Sequence, residues 1–327
     1  MEKTSNQNGG NISLPLVIVN PKSAGGSTET RWARIASDLA KNFGAFNVAF
    51  TERAGHAIEL AKHAAENERT FIIACGGDGT INEVAKGILQ SRTNAELGVL
   101  PSGTGGDFRR SLGIASNAVE AAKDLRDGIT KTIDVGKVSF LNHEDQQTSR
   151  YFLNISSFGL SAAINERVKA KDSFRWLPSD VLRGKAKFAF STLHEVFDLD
   201  STTVRVRIDD GAEKSLNTIN FCVANARYFG GGMKIAPEAK IDDGFFDLIN
   251  IGDIKTAKIL LNAYKLYSGS HLELEEVKSM LAKRIEVKPA KPGENVFIET
   301  DGELPGKLPA VYEIVAQALK VRVPRKN

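Results

Sequence analysis

Phe71–Val84, FIIACGGDGTINEV, is the stretch whose reading decides the fold. Phe71, Ile72, Ile73, Ala74 and Cys75 form a short continuous apolar run, the pattern of a strand buried on both faces. Gly76, Gly77 and Gly79 then remove three Cβ atoms around Asp78, so a ligand can approach the main chain closely. Thr80 followed by Glu83 reads as a capping box, which predicts a helix opening beside the glycine turn. A helix N-terminus next to bare backbone suits an anion, most naturally a phosphate. Asp78 among those donors makes sense where a divalent cation accompanies the phosphate, and otherwise reads as a solvated turn carboxylate.

Outward from this stretch the same grammar repeats. Leu14–Val19 is a buried-type strand running into Asn20-Pro21-Lys22-Ser23-Ala24-Gly25-Gly26, and Trp32, Ile35, Leu39 and Phe43 behind it mark one stripe of a helix. Asn47–Thr51 predicts a second strand, followed by an alanine-rich helix containing His56 and His63; these two lie too far apart to share a metal. No histidine is assigned a chemical role. Leu97–Leu100 predicts a fourth strand, ending at Pro101-Ser102-Gly103-Thr104-Gly105-Gly106-Asp107. Four strands alternating with helices predict a doubly wound α/β domain with ligand loops at the carboxyl ends of its strands. After Asp134 the pattern changes to short alternating runs, Thr203–Ile208, Asn217–Asn225 and Phe245–Ile251, separated by Gly, Asp and Asn turns. The division is therefore an α/β domain over residues 1–135, with 1–13 as a flexible tail, and a β-rich, sandwich-like domain over 136–327.

Composition bounds the reading. At 327 residues, 42% hydrophobic and 25% charged, the chain has material for two cores. A net charge of +3 permits contact with phosphates or an anionic membrane and falls short of a dedicated nucleic-acid binder. The two cysteines lie inside apolar runs and supply neither a disulfide framework nor a metal pair. No apolar run approaches the length needed to span a bilayer and the first residues are polar, so a cytoplasmic protein is expected. Neither the Walker-A pattern nor the protein-kinase signature set occurs.

The blocks NPKSAGG, TERAGHA, GGDGTINEV, PSGTGGDFRRSLGI, IDVGKV, NISSFGLSA, NARYFGGGMKIAPEAKIDDGFFDL and TDGE, in this order, resemble the diacylglycerol kinase catalytic-domain family, which includes bacterial lipid kinases, sphingosine kinases and ceramide kinases. The resemblance covers nearly everything after residue 13. It implies an active site in the cleft between the two domains, with ATP as phosphoryl donor and Mg²⁺ as cofactor. Glu303 would be the general base with Asp301 assisting, and Asp78 would connect through water and Mg²⁺ to the nucleotide phosphates. Matching motif positions place the nucleotide on Asn20, Pro21, Lys22, Ser23, Ala24, Thr51, Gly76, Gly77, Asp78, Gly79, Thr80, Asn82 and Thr104. The Asp242-Asp243-Gly244 stretch reads as a hairpin turn; by resemblance it would also hold a structural Mg²⁺ on the Asp243 carboxylate and the carbonyls of Lys240 and Phe245. The family usually has Asn where this chain has Gly106, so any side-chain contact made there is lost or taken over by another group. In a strand, Asp301 and Glu303 would share a face; Gly302 leaves that open.

The implied reaction is transfer of the γ-phosphoryl of ATP to a lipid hydroxyl, diacylglycerol first. Ceramide, a sphingoid base or phosphatidylglycerol stand as alternative acceptors, then NAD, then a non-catalytic nucleotide- or lipid-binding regulator. Expected partners are the lipid substrate and an anionic membrane surface visited transiently from the cytoplasm, with no nucleic acid; a homodimer is left open. Residues 168–190, with six Lys and Arg among Phe174, Trp176, Leu177 and Leu182, read equally as a membrane-docking segment or as a helix with a solvated basic face.

Overall fold

The computed structural model describes residues 13–102, 106–160, 162 and 201–325. Thr104, the 1–12 tail and the basic 168–190 stretch lie outside the described residues. β1 (Leu16–Val19), β2 (Asn47–Phe50), β3 (Phe71–Gly76) and β4 (Glu96–Pro101) are parallel and lie in the order β4-β3-β1-β2. Their connections are α1 (Ser27–Asn42), α2 (His56–Glu66) and α3 (Asp78–Ser91). β1, β3 and β4 are buried along nearly their whole length, as continuous apolar runs require; β2 is the edge, and there the burial stops. α1 carries the predicted stripe, with Ile35 and Leu39 fully enclosed and Trp32 and Phe43 packed at its margin. α4 (Asp107–Leu112) and α5 (Ala118–Asp127) complete the first unit.

β5 (Ile129–Leu141) then crosses from one core to the next: Ile133 and Val135 belong to the first, Val138 and Phe140 to the second. Its antiparallel partner is β15 (Glu303–Val323), which crosses back. Leu308, Ala310 and Tyr312 of β15 fill the second core, while Leu319, Val321 and Val323 fill the first, where the strand pairs parallel with β4. An irregularity between Val315 and Leu319 separates the two halves. It is pinned by buried Asp134, whose carboxylate accepts from Gln317 N at 2.7 Å and from Gly244 N at 2.7 Å. A bulge fixed this way lets one strand serve two cores without slipping register.

The second unit is β-rich: β6 (Gln147–Phe152), β7 (Ile155–Gly159), β8 (Thr202–Ile208), β9 (Lys214–Thr218), β10 (Asn220–Ala224), β11 (Phe246–Ile251), β12 (Val277–Ala282), β13 (Arg284–Pro289) and β14 (Phe297–Thr300). The run read as one strand over Asn217–Asn225 is two, broken at Ile219, whose N–H turns to Ile251 O. β10 is buried at every position because alternate side chains enter different cores: Phe221 and Val223 the sandwich, Cys222 and Ala224 a third cluster under residues 229–239. Stacked pairs Phe158–Phe221 (5.1 Å) and Phe152–Phe246 (5.6 Å) occupy the sandwich. Among the described residues no helix is long and apolar enough to cross a membrane.

Candidate active site

β1 lies between β2 and β3, so the chain leaves β1 and β3 toward opposite faces of the sheet and a crevice opens at their carboxyl ends. That crevice is a cleft of about 420 Å³, lined by Asn20, Lys22, Ser23 and Ala24 after β1, Thr51–Ala54 after β2, Ala57, and Gly77, Gly79, Thr80 and Glu83 after β3. The loop after β1 is held by Asn20, which donates from Nδ2 to Thr80 Oγ1 (3.1 Å), and by Ser23 Oγ, 3.1 Å from Ser102 Oγ. A Cβ on Gly76 would lie 2.3 Å from Thr80 Oγ1, so glycine there is what lets Thr80 reach Asn20. A Cβ on Gly77 or Gly79 would meet nothing within 4 Å; it would project into the space a ligand needs.

The predicted capping box is not formed. α3 starts at Asp78, two residues before Thr80, with Gly77 as an extended N-cap that makes no side-chain hydrogen bond. Glu83 reaches sideways and caps α2, accepting from Gly55 N (2.9 Å) and Ala57 N (3.2 Å). The reason is the tight approach of the two helices at Gly87, where a Cβ would come within 2.4 Å of Ile58 O. The amides at the head of α3 thus remain for an anion.

Asp78 faces the next helix. Its carboxylate accepts from Gly106 N (2.7 Å), Asp107 N (3.1 Å) and Phe108 N (3.2 Å), capping α4. Gly106 sits at φ +109, a backbone conformation that favours glycine, and its main-chain N–H is one of the three donors. Asp107, absent from the sequence-derived set, accepts from Gly231 N (2.8 Å) and Arg110 Nη1 (2.6 Å), drawing the 230–232 glycine loop of the second unit onto α4. Burial pushes the Asp107 carboxyl above its usual range.

Asp301 and Glu303 do not share a strand face. Asp301 (φ +48) and Gly302 (φ +85) form the two-residue turn joining β14 to β15, with Thr300 paired to Glu303. The turn aims the two carboxylates differently. Asp301 accepts from the main-chain N–H of Leu153 (2.7 Å), Asn154 (3.0 Å) and Ile155 (3.1 Å) and from Asn82 Nδ2. Burial pushes its pKa up, against the pull of those donors and of Lys86. Glu303 stands half exposed, held by Arg150 Nη1 at 2.6 Å. Lys86 is buried among Arg150, Asp301, Glu303 and Glu83, and desolvation followed by Arg150 lowers its pKa.

α3 brings these groups into one line. Asp78, Asn82 and Lys86 fall at i, i+4 and i+8, one stripe about 12 Å long. Its head borders the glycine cradle and its tail lies under Asp301 and Glu303. Lys86 and Arg150 were not anticipated; the only trace in the sequence is a cation on the stripe that Asp78 and Asn82 begin.

The expected cation ligands form a separate turn. Asp243 is exposed and accepts from Phe245 N (3.1 Å), while Asp242 pairs with Lys131 (2.8 Å). Asp247 nearby is pushed up to about 6 by burial and then by Asp243 and Glu238. Carboxylate oxygens next to main-chain carbonyls are the donor chemistry a hard cation takes. Among the described residues no group of three or more His, Cys, Asp or Glu side chains could hold a metal.

A glycine cradle at the switch point of a parallel sheet, tied by one helix to carboxylates on a hairpin of the β-rich unit, is an arrangement suited to phosphoryl transfer. Family models bear this out: the one for the diacylglycerol kinase catalytic domain matches residues 15–138, and the one for the YegS C-terminal NAD kinase beta sandwich-like domain matches 154–323. Curated relatives include the diacylglycerol kinase of Bacillus subtilis (strain 168), 30% identical over 278 residues covering 85% of each chain, and that of Staphylococcus epidermidis, 30% identical over 84% of this chain and 81% of the relative. A solved diacylglycerol kinase structure from Bacillus anthracis str. Sterne superposes with a TM-score of 0.68 over 96% of this chain and 97% of that one, at 23% identity. The chain belongs to the diacylglycerol kinase catalytic-domain family and is a lipid kinase; the family implies ATP as the phosphoryl donor.

Proposed function

We propose that this enzyme transfers the γ-phosphoryl of ATP to the free hydroxyl of diacylglycerol, giving phosphatidic acid, and that it does so at a membrane surface it visits peripherally. The observation that carries the reading is the α3 stripe, which joins the glycine cradle to the Asp301–Glu303 turn in one rigid element. The uncapped amides of α3 and the open faces of Gly77 and Gly79 receive the triphosphate, with Asn20 and Thr80 fixing the loop around it. Asp301, saturated by donors, is a positioning group that locks the turn. Glu303 is the residue left free to orient the acceptor hydroxyl and take its proton late, when the loose transition state is already formed. Arg150 holds that carboxylate in place, with the Lys86 charge nearby.

Mg²⁺, when bound with ATP, supplies charge neutralisation at the phosphates. A second Mg²⁺ at Asp243, with the Lys240 and Phe245 carbonyls, would stiffen the turn that Asp134 anchors. The test is incubation of the purified protein with labelled ATP, Mg²⁺, and a panel of diacylglycerol, ceramide, sphingoid base, phosphatidylglycerol and NAD. Label in phosphatidic acid is the expected result. Label only in another lipid reassigns the acceptor, and label only in NAD, a comparison the sandwich-domain similarity makes necessary, overturns the lipid reading.

A further inference from the structure

α6 (Thr256–Asn262) and α7 (Lys265–Ser268) bury no residue. Ala263 and Tyr264 between them keep helical φ and ψ, so Thr256–Ser268 winds as one run. At helical period Leu260, Leu261, Tyr264 and Tyr267 fall within roughly a 120° arc. A helix on a globular protein turns such an arc inward. Here it faces water: Leu261 is 75%, Tyr264 67% and Tyr267 58% exposed. The other side of the helix makes the attachment, through Leu266 in the third cluster and Lys258, which pairs with Glu276 at 2.6 Å. Residues 254–272 contain three lysines and no carboxylate.

We infer that this face docks on an anionic lipid bilayer, the leucines entering the acyl boundary, the tyrosines lying at headgroup depth and Lys255 and Lys265 meeting lipid phosphates. A second copy of the chain fits less well, because an isologous contact through this arc would bring Lys255 and Lys265 of both copies to one seam. The position is apt for the lipid kinase reading on which the inference rests. Leu266 O accepts from Lys234 N (2.6 Å), at the end of the glycine loop whose Gly231 N reaches Asp107 on α4. Docking therefore brings the bilayer toward the glycine loop through which the second unit reaches α4.

The experiment is sedimentation with vesicles of phosphatidylcholine alone or mixed with phosphatidylglycerol. The parent is expected to bind the mixed vesicles, and a Leu261→Asp/Tyr264→Asp variant to bind them at least about tenfold more weakly. Lys255→Glu/Lys265→Glu is expected to lose the preference for the anionic mixture. All retain the parental rate on a water-soluble short-chain diacylglycerol, because none of these residues lines the cleft. As a second readout, Tyr264→Trp should add fluorescence, over the parent, that brominated lipid quenches. Parental vesicle binding by the Leu261→Asp/Tyr264→Asp variant, absence of that quenching, or a parent dimer that this variant converts to monomers would overturn the inference. Vesicle binding through this face by a protein that phosphorylates no lipid would instead sink the functional reading and leave the docking face standing.

Discussion

Asp301 and Glu303 lie two residues apart and have opposite environments, so their substitutions should separate cleanly. Asp301 terminates three main-chain N–H groups and the Asn82 amide. Asp301→Ala strands those donors, and the expected loss of stability is about 3 kcal/mol or more, read by chemical denaturation. Glu303 is half exposed and its ion pair with Arg150 is worth little to the fold. Glu303→Gln is expected to leave stability within roughly 0.5 kcal/mol of the parent while lowering kcat by about 10²–10⁴. A folded Glu303→Gln enzyme of parental rate would show that the proton goes elsewhere. The sequence offered both carboxylates but not this division of labour, because it depends on the left-handed turn at Asp301 and on which distant amides that turn meets.

At the scale of elements, the cleft at the carboxyl ends of β1 and β3 depends on how closely α2 and α3 pack. Glu83 caps α2 from α3, and Gly87 permits the approach. Glu83→Ala should cost about 1 kcal/mol as a lost cap. Gly87→Ala should cost more, about 1–3 kcal/mol, since its Cβ would meet the Ile58 carbonyl rather than a side chain able to swing away. Both should weaken ATP binding, measurable by calorimetry, because Ala54, Ala57 and Glu83 line the cleft. Equal stability for Gly87→Ala and parent would mean the helices are free to separate. β1, β3 and β4 were legible as strands because an apolar run buried on both faces has no other use for its side chains. The capping-box spacing of Thr80 and Glu83 goes unused: one side chain is taken by Asn20 and the other by a neighbouring helix.

At the scale of the whole molecule, the two cores are not consecutive pieces of chain. Leu319, Val321 and Val323 return to the first core, and Arg322 clasps buried Glu96 with two contacts of 2.8 Å. A fragment of residues 14–135 lacks this last strand and leaves β4 with an open edge. It is expected to show no cooperative urea transition, and the full chain cut after residue 316 is expected to fail likewise. Cooperative unfolding of the 14–135 fragment would show that the returning strand is dispensable. The inverted amphipathic helix at 256–268 belongs to this scale too, since its outward apolar arc is meaningful only once the other face is seen attached.

The sequence by itself determined the parallel α/β first unit, the β-rich second and the glycine cradle, because short-range apolar period and glycine placement are local properties that each segment carries alone; the family was legible through the resemblance of its motif blocks. Only the tertiary structure decided that Asp78 caps α4, that Asp301 is spent on backbone amides, that Lys86 and Arg150 flank Glu303, and that β15 closes both cores. Those outcomes join residues 28 to more than 200 positions apart. Which donor meets which acceptor over such separations follows from packing, and packing leaves no period in the chain for a reader to find.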